Sequence, residues 1–396
     1  MKLALWTTKF PELTETFIES EIRFLKQHYP NLSINTLKPA TRGDLKVNYF
    51  SYWDIRNIGA FMVFVLTALP TMVRIIMDLF KGFDNCPRPY ERIKSFLLLP
   101  TACRAALLLN RAGTTHLMSH WSNVPSTVAW VCQRLYGWPH VLVLHGENLS
   151  KVWPLLKIKC SEASKVITCT RFNKERIEKE LDHINVSFHS HGVDIPVIPE
   201  KANKSDVLQG LSVGRLVPTK GLMFLLEALS ALLETGVAFK WTIIGEGPQE
   251  NELKSYCKKN NLENKVSFLG ALEYDKVLPF YISHDVFVLP LQKADDGDSD
   301  GLPNVILEAM SYGCPIISTS CAAVEEAVQD QKTGLIVTWG NTNELMEAIV
   351  KIKEDVNFAN KITQEGKKFV SLFFDKKICH QELLKTLRPI FEKSLL

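Results

Sequence analysis

The stretch ADDGDSDGLPNVILEAMSYGCPIIS, residues 294–318, is the part of the chain around which the rest is organised. The apolar run at 286–290 before it predicts a buried parallel strand, because such strands are covered on both faces. After a loop rich in Asp and Gly, we predict a helix that opens near Pro303 and ends at Gly313. A second apolar strand at 315–318 completes the unit. In open α/β sheets ligands bind at the carboxyl ends of strands, so this loop is a candidate binding site.

The loop and the start of the helix carry groups that suit a phosphorylated ligand. A helix N-terminus offers unpaired N–H groups and a partial positive charge, and Gly301 lets the backbone approach a ligand closely. Asp300 lies at the junction of loop and helix. Glu308 lies about one and a half turns into the helix, where its carboxylate could accept two hydrogen bonds from a ribose diol. The pattern is therefore typical of a nucleotide site.

Two alternatives remain open for the same residues. Residues 296–301 match the opening of an EF-hand calcium loop, D-x-D-x-D-G. That loop needs a bidentate Glu at its twelfth position, which is Leu307 here, and Pro303 falls inside it. Glu308 could also be an ordinary solvated residue on the helix surface. The motifs elsewhere in the chain favour the nucleotide site over both.

Composition limits the class of protein. The chain has 396 residues, which predicts two domains, and 46% hydrophobic with 22% charged residues is typical of a globular protein. A net charge of +3 is too small to indicate a nucleic-acid partner. The nine cysteines form no C-x-x-C pair, so no zinc or redox motif is predicted. The N-terminus lacks the apolar segment of a signal peptide, and we expect a cytosolic protein.

A glycine-rich segment with two cations opens the second half of the chain. GRLVPTKG, residues 214–221, follows an apolar run at 207–213 and precedes a predicted helix from Leu222. A glycine turn admits a ligand to the backbone, and two cations beside a helix N-terminus can neutralise a diphosphate. Arg215 offers a planar fork of donors and Lys220 a point charge. The segment predicts a diphosphate site that needs no metal ion.

Two histidines in the first half lie at predicted strand ends. His145 directly follows the apolar run at 141–144, and His120 ends an earlier strand. A lone histidine is usually structural, but two at strand ends in one half-domain favour a functional role. His189 and His191 raise the question of a metal site, yet no third ligand is apparent in the sequence, and no metal is predicted.

An uncharged apolar stretch lies at residues 57–73, between Arg56 and Arg74. Its 17 residues with Pro70 inside are short for a membrane span, which needs ~20. Burial of this helix against other helices is one interpretation. The other is a helix lying in a membrane interface, to which the apolar runs at 96–99 and 105–109 would add. Nearby basic residues would assist such contact with anionic lipid, namely Arg56, Arg74, Lys81, Arg88, Arg92 and Lys94.

These motifs together resemble the family 4 glycosyltransferases, which are retaining, nucleotide-sugar-dependent enzymes of GT-B fold. Their acidic signature is Glu, seven residues, Glu; here Asp300 replaces the first Glu and is one methylene shorter, while Glu308 matches. Residues 214–221 are similar to the family's G-R-x-x-x-x-K-G motif, and GEGP at 245–248 to its G-x-G-P turn. FPELTETF at 10–17 resembles the FPxxSETF start of colanic-acid-type exopolysaccharide glycosyltransferases, with Thr for Ser.

The resemblance implies roles for individual residues. Glu308 would hold the ribose, Arg215 and Lys220 would stabilise the diphosphate leaving group, and backbone groups near Leu269 and Gly270 would meet the nucleobase. A tight turn into a helix would explain the two glycines of GEGP equally well. The predicted catalytic residues are His145, Arg215, Lys220 and Asp300. The predicted donor-binding residues are His120, Gly214, Gly245, Gly247, Leu269, Gly270, Gly301, Leu302, Pro303, Asn304 and Glu308.

Strands alternate with helices in both halves, which predicts an α/β protein of two Rossmann-like doubly wound domains facing a cleft. We place an acceptor-binding domain at 1–195, with its apolar and basic helices facing a membrane, and a nucleotide-sugar-binding domain at 196–375. The GT-B resemblance implies that the last helix, at 376–396, crosses back to the first domain. A polar, proline-bearing linker at 196–204 marks the boundary.

The expected activity is the retaining transfer of a hexose-type sugar from a nucleotide diphosphate sugar, as co-substrate, to a lipid-linked or oligosaccharide acceptor in surface polysaccharide synthesis. Uracil is the expected base of the nucleotide and guanine the alternative. No cofactor, metal or nucleic acid is expected. We expect the protein to lie in the cytoplasm, on the cytoplasmic face of a membrane. Two alternatives stay open: a non-catalytic nucleotide-sugar-binding or scaffold subunit, and a GT-B-type sugar-nucleotide epimerase. A Rossmann dehydrogenase is disfavoured, because no G-x-G-x-x-G follows the first strand of either half.

Overall fold

The computed structural model describes residues 1–12, 15–39, 44–81, 89–145, 155–181, 184–197, 206–293 and 301–392. The chain forms two compact units: Met1–Ser190 with His380–Leu396, and His191–Cys379. Each contains a parallel sheet with helices packed on it, which confirms the predicted fold class of two Rossmann-like α/β domains.

Within its described residues, the first unit has a seven-stranded sheet of order β3-β2-β1-β4-β5-β6-β7, with parallel neighbours. The order of strands reverses between β1 and β4, and ligands bind at such a switch point in doubly wound folds. The strands are β1 (Leu3–Thr7), β2 (Ser33–Thr36), β3 (Val47–Tyr49), β4 (His116–His120), β5 (His140–Leu144), β6 (Lys165–Thr168) and β7 (Val186–Phe188).

The described residues of the second unit form a six-stranded parallel sheet of order β10-β9-β8-β11-β12-β13. Here the order reverses between β8 and β11. The strands are β8 (Leu208–Val213), β9 (Phe239–Ile244), β10 (Val266–Phe268), β11 (Val286–Leu289), β12 (Ile316–Thr319) and β13 (Leu335–Val337).

Helices connect the strands in both units, as the parallel order requires. Those of the first unit are Thr16–His28, Arg56–Thr67, Leu69–Lys81, Pro89–Leu97, Leu99–Arg111, Val124–Tyr136, Leu156–Glu162 and Arg171–Glu180. Those of the second unit are the 3₁₀ turns Pro218–Lys220 and Val324–Glu326 and the helices Leu222–Glu234, Glu250–Lys259, Tyr274–Ser283, Asn304–Ser311, Thr342–Glu354 and Val356–Phe373. The last helix, Lys376–Phe391, belongs to the first unit from His380 onward, which confirms the predicted return of the C-terminal helix.

The helix predicted to open near Pro303 does so: it spans Asn304–Ser311, and Pro303 is its N-cap, with an extended backbone at φ −65° and ψ 129°, rather than a residue of its first turn. The first helix, Thr16–His28, follows the N-cap Glu15. Neither cap residue makes a side-chain capping bond, so packing supports the start of both helices.

The expected single helix over 57–73 is also wrong. The helices Arg56–Thr67 and Leu69–Lys81 are bent by 114° at Ala68. Pro70 lacks an N–H and its ring would clash with the carbonyl four residues earlier, so the first helix ends before it. Pro70 then lies in the first turn of the second helix, where no donor is needed.

The apolar run at 105–109 adds little to an exposed surface, contrary to expectation. Ala105, Ala106 and Leu109 lie on the buried face of helix Leu99–Arg111, and Leu108 is exposed at 39%. Among the described residues, the stretch Ile93–Arg111 is long and apolar enough to cross a membrane, and so is the bent pair if it counts as one span. Because 44% of the Ile93–Arg111 window is buried in the fold, a helix that packs in the core of a protein would have the same length and composition as this stretch.

Candidate functional site

The predicted phosphate segment contacts residues that directly precede the opening stretch, at the switch point of the second unit. The segment 214–221 follows β8, and residues 290–293 follow the neighbouring strand β11. The Gln292 N–H donates to the Thr219 carbonyl at 3.0 Å, and the Gln292 side-chain amide donates to the Pro218 carbonyl at 2.5 Å. The two loops therefore lie side by side where a doubly wound domain binds its ligand.

Close backbone packing explains the glycines of the GEGP turn. A Cβ atom on Gly245 would overlap the Gly214 carbonyl oxygen, and one on Gly247 would lie 2.5 Å from the Leu216 carbonyl oxygen. The Leu216 N–H also donates to the Glu246 carbonyl at 2.9 Å. The loops after β8 and β9 are thus joined backbone to backbone, which gives these glycines a packing role whether or not they also touch a ligand.

The two predicted cations occupy different environments. Lys220 is buried, at 6% exposure, and its aliphatic stem runs 3.4–3.7 Å from the position of a Cβ on Gly214. Arg215 is exposed. Gly221, at φ +64°, caps helix Leu222–Glu234, and a side chain there would overlap the Pro290 carbonyl oxygen. Lys220 is consequently held beside a helix N-terminus, an arrangement suited to an anion.

The start of helix Asn304–Ser311 is half-buried, as a ligand-facing turn would be. Gly301, Leu302, Pro303 and Asn304 are all of intermediate exposure. Asp300 and residues 296–299 of the EF-hand pattern lie outside the described residues. The predicted contacts of this turn with a sugar and phosphates stay predictions.

Glu308 is not a solvated helix residue. Its side chain is 7% exposed, and the hydroxyl of Tyr281, from helix Tyr274–Ser283, donates a hydrogen bond of 2.9 Å to its Oε2 atom. Burial raises the pKa of Glu308 to about 7, Tyr281 and Lys376 oppose this shift, and Asp194 adds to it. A buried carboxyl group with a pKa raised towards neutral pH, on a helix that follows a predicted binding loop, is a functional-site candidate.

Protein hydrogen bonds already use half of the backbone groups predicted to meet the nucleobase. The Leu269 N–H donates to the Ile243 carbonyl at 3.0 Å, and the Gly270 carbonyl accepts from the Gly245 N–H at 2.8 Å. This leaves the Leu269 carbonyl and the Gly270 N–H for that role. The Leu269 side chain is 42% exposed, so it could cover a base.

The two predicted histidines meet in the first unit. His120 is the last residue of β4 and His145 follows β5, and both are buried. His120 Nδ1 lies 3.1 Å from His145 Nε2, so one ring donates a hydrogen bond to the other. Both lie at the carboxyl edge of the sheet, β4 being one of the switch-point strands.

Glu21 is a functional candidate that the sequence reasoning missed. It is 5% exposed on helix Thr16–His28, and its Oε1 atom lies 3.4 Å from His120 Nε2. The sequence did contain a sign of it, since Glu21 occupies an apolar-stripe position among Ile18, Ile22 and Leu25. A charged residue at such a position is rarely buried without a partner.

Lys159 is a second buried group that no motif indicated. It is 1% exposed and donates to the Ser122 carbonyl, to Ser126 Oγ at 3.0 Å and to Thr127 Oγ1 at 3.3 Å. Burial lowers its pKa to about 7. These bonds tie the loop after β4 to the helix Val124–Tyr136, and so fix the backbone next to His120.

Comparison with known sequences agrees with this geometry. Residues 194–369 match the family described as Glycosyl transferases group 1. The putative colanic acid biosynthesis glycosyltransferase WcaL of Escherichia coli K12 is 30% identical over 202 residues, 50% of each chain. The amylovoran biosynthesis glycosyltransferase AmsK of Erwinia amylovora is 28% identical over 183 residues, 46% of this chain and 45% of AmsK. The chain thus spans about half the length of these curated relatives.

Solved structures share the fold at low identity. Anabaena HepE in complex with UDP and glucose superposes with a TM-score of 0.71 and 17% identity, covering 98% of this chain and 100% of HepE. Sucrose-phosphate synthase of Thermosynechococcus elongatus superposes with a TM-score of 0.75 and 15% identity, covering 99% and 100%. The fold is that of GT-B glycosyltransferases, and the residues that match the Glycosyl transferases group 1 family contain the loops at the second switch point.

Proposed function

We propose that this chain is a retaining, metal-independent glycosyltransferase that moves a hexose-type sugar from a nucleotide diphosphate sugar to a lipid-linked or oligosaccharide acceptor. The observation that carries the proposal is the contact, at the second switch point, of the Lys220 loop with residues 290–293, which follow β11. A buried cation beside a helix N-terminus suits the phosphates of a nucleotide, and the carboxylate of Glu308, on the next helix along the chain, suits its ribose.

Glu308 is the ribose-binding residue in this proposal. Its Oε2 atom is held by Tyr281 at 2.9 Å, which fixes the direction of the carboxylate before a ligand arrives. A preoriented carboxylate loses less side-chain entropy on binding a diol than a solvated one.

Lys220 and Arg215 stabilise the diphosphate as it leaves the sugar. Negative charge grows on the leaving group in the transition state, and cations placed there in advance lower its energy most. Lys220 is buried and fixed, while the exposed Arg215 is able to move onto the ligand. The acceptor hydroxyl attacks from the side of the leaving group and passes its proton to the diphosphate, so no side-chain nucleophile is required. Asp300, Gly301 and Leu302 line the sugar.

His145, with His120, contacts the sugar from the first unit. Both imidazoles lie at the carboxyl edge of a doubly wound sheet, where that fold binds ligands. Burial lowers the pKa of His120 to about 3, so this ring acts as a neutral hydrogen-bonding group.

A membrane surface is the proposed place of the acceptor. The bent helix pair 56–81 leaves large apolar side chains exposed, including Leu66 at 79% and Leu69 at 54%. Arg56, Arg74 and Lys81 lie on the same pair and would meet anionic lipid. An apolar face bordered by cations is typical of an interfacial helix.

Similarity to named proteins supports the proposed biosynthetic process and the proposed nucleobase of the donor. WcaL and AmsK carry names from colanic acid and amylovoran biosynthesis, and HepE has been solved with UDP. We therefore propose surface polysaccharide synthesis as the process and UDP as the nucleotide.

The test is a panel of UDP-, GDP- and ADP-sugars, read by thermal shift and by sugar release. Wild type is compared with Lys220→Ala, with Lys220→Met, which keeps the stem, and with Lys258→Ala, an exposed lysine on helix Glu250–Lys259. We expect one nucleotide to raise the melting temperature of wild type and Lys258→Ala only, with slow sugar release. No shift with any nucleotide would overturn the proposal and favour a scaffold subunit.

A further inference from the structure

Three buried polar side chains form a line beneath the carboxyl edge of the first sheet. Glu21 Oε1 lies 3.4 Å from His120 Nε2, and His120 Nδ1 lies 3.1 Å from His145 Nε2. Glu21 is 5% exposed, His120 0% and His145 3%. The first distance is longer than an ordinary hydrogen bond, as catalytic contacts in ligand-free sites frequently are. A carboxyl group thus faces one end of a pair of imidazoles.

Such a line can hold its protons in two arrangements. If Glu21 is protonated, it donates to His120 Nε2, His120 Nδ1–H donates to His145 Nε2, and His145 carries its proton on Nδ1. If Glu21 is ionised, it accepts from His120 Nε2–H, His120 Nδ1 accepts from His145 Nε2–H, and His145 Nδ1 is an acceptor. The second arrangement has one proton fewer, and neither leaves an imidazolium.

The surroundings favour the protonated arrangement at neutral pH. Burial raises the pKa of Glu21 to about 8 and lowers the pKa of His120 to about 3. Cys169, whose Sγ lies within 4.8 Å of a His145 ring nitrogen, is another titratable group of the first unit beside this pair. The shift of the Glu21 pKa arises from burial, which disfavours the ionised carboxylate.

Aromatic contacts hold the second imidazole in place. The Trp121 ring centroid lies 4.4 Å from that of His145, and the Phe17 centroid lies 5.3 Å from it. Trp121 has φ +73°, a strained value for a residue with a side chain. Because the ring is packed on two sides, its tautomer rather than its orientation is the property that Glu21 can change.

We propose that Glu21 is a positioning residue that, through His120, decides which ring nitrogen of His145 carries the proton, and so whether Nδ1 offers the sugar a donor or an acceptor. The link to the sugar rests on the proposed function, whereas the control of the tautomer does not. A neutral Glu21 makes Nδ1 a donor to a sugar hydroxyl oxygen.

The first test reads the proton directly. In protein with ¹⁵N-labelled histidine, long-range ¹H–¹⁵N spectra distinguish a protonated from a bare ring nitrogen. We expect His145 to carry its proton on Nδ1 in wild type at pH 7 and in Glu21→Gln, whose amide can donate as the neutral acid does. We expect a mixture of tautomers in Glu21→Leu. An unchanged His145 signal in folded Glu21→Leu would overturn the proposal.

The second test uses transfer or donor hydrolysis. Glu21→Leu should lower kcat roughly 10- to 100-fold with KM little changed, and Glu21→Gln should recover most of it. Gln27→Glu, an exposed change on the same helix, should match wild type. If Glu21→Gln is as impaired as Glu21→Leu although His145 keeps its tautomer, the link to the sugar is wrong. If wild type turns over no nucleotide sugar, the proposed function fails, and the spectra still decide the role of Glu21.

Discussion

The two candidate sites are built in different ways. In the second unit the site is made of backbone: Gly245 packs on the Gly214 carbonyl, and Lys220 is carried by the same loop. In the first unit the site is made of side chains, Glu21, His120 and His145, from three separate segments. A backbone site needs glycines at fixed spacing, which a single stretch of sequence shows, whereas a side-chain site needs only a fold that brings distant residues together.

Removal of the buried cation tests the backbone site most severely. Lys220→Met keeps the stem that packs on Gly214 and removes the charge. We expect kcat for sugar transfer to fall roughly 100- to 1000-fold, the usual effect of losing one group that stabilises transition-state charge. Steady-state rates with the donor found in the nucleotide panel provide the measurement. A fall below fivefold would mean that the loop, and not its lysine, binds the diphosphate.

The packing role of the glycines predicts a loss of stability. Gly245→Ala would force a Cβ into the Gly214 carbonyl and should lower the free energy of unfolding by about 3 kcal/mol. Gly236→Ala is the control, because Gly236 has φ +76° with no atom within 4 Å of its Cβ position, and should cost only about 1 kcal/mol of backbone strain. Urea unfolding of both variants separates packing from strain. Equal losses would contradict the close contact of the two loops.

The buried carboxyl group of the second unit predicts how nucleotide binding depends on pH. Glu308 must be ionised to accept two hydrogen bonds from a ribose, and its pKa in the free protein is about 7. Affinity should therefore rise with pH, by up to about tenfold per unit below pH 7, and level off above it. Calorimetry from pH 5.5 to 8.5 measures this, and Glu308→Gln should bind weakly with no such slope. A wild-type affinity for nucleotide that falls as the pH rises would contradict the assignment of Glu308 to the ribose.

The raised pKa of Glu308 also affects the stability of the fold. Because this pKa is raised above its usual 4.5, the contribution of Glu308 to folding is fully present below pH 4.5 and is lost as the pH rises through 7. Glu308→Gln should be stabilised relative to wild type at pH 8 but not at pH 4.5.

The smallest expected effect concerns the helix pair of the first unit. Leu66→Glu places a charge on its exposed apolar face and should weaken binding to vesicles containing anionic lipid roughly fivefold. Leu372→Glu, at an exposed leucine of the second unit (56% exposed against 79% for Leu66), should leave binding unchanged. Vesicle co-sedimentation at low and high salt measures both. Equal weakening by the two variants would show that the helix pair is not a specific membrane surface.

The elements that were predicted well are those with long apolar runs. The strands β5, β8 and β11 lie where the sequence placed them, because buried parallel strands have a distinct apolar pattern. The short strands β3 and β7 carried no such pattern and were missed. The bend at Ala68 was missed although Pro70 marked it, since apolarity all around the stretch concealed the helix boundary.

The sequence by itself determined the α/β class, the glycine-and-cation loop at 214–221 and the acidic position at 308, because each depends on local backbone geometry or periodicity. Only the tertiary structure decided that Glu308 is buried against Tyr281, that Gly245 and Gly247 are packing residues, and that Glu21 faces His120. The physical reason is that desolvation and close contact depend on neighbours remote in the chain, which no spacing along one segment records.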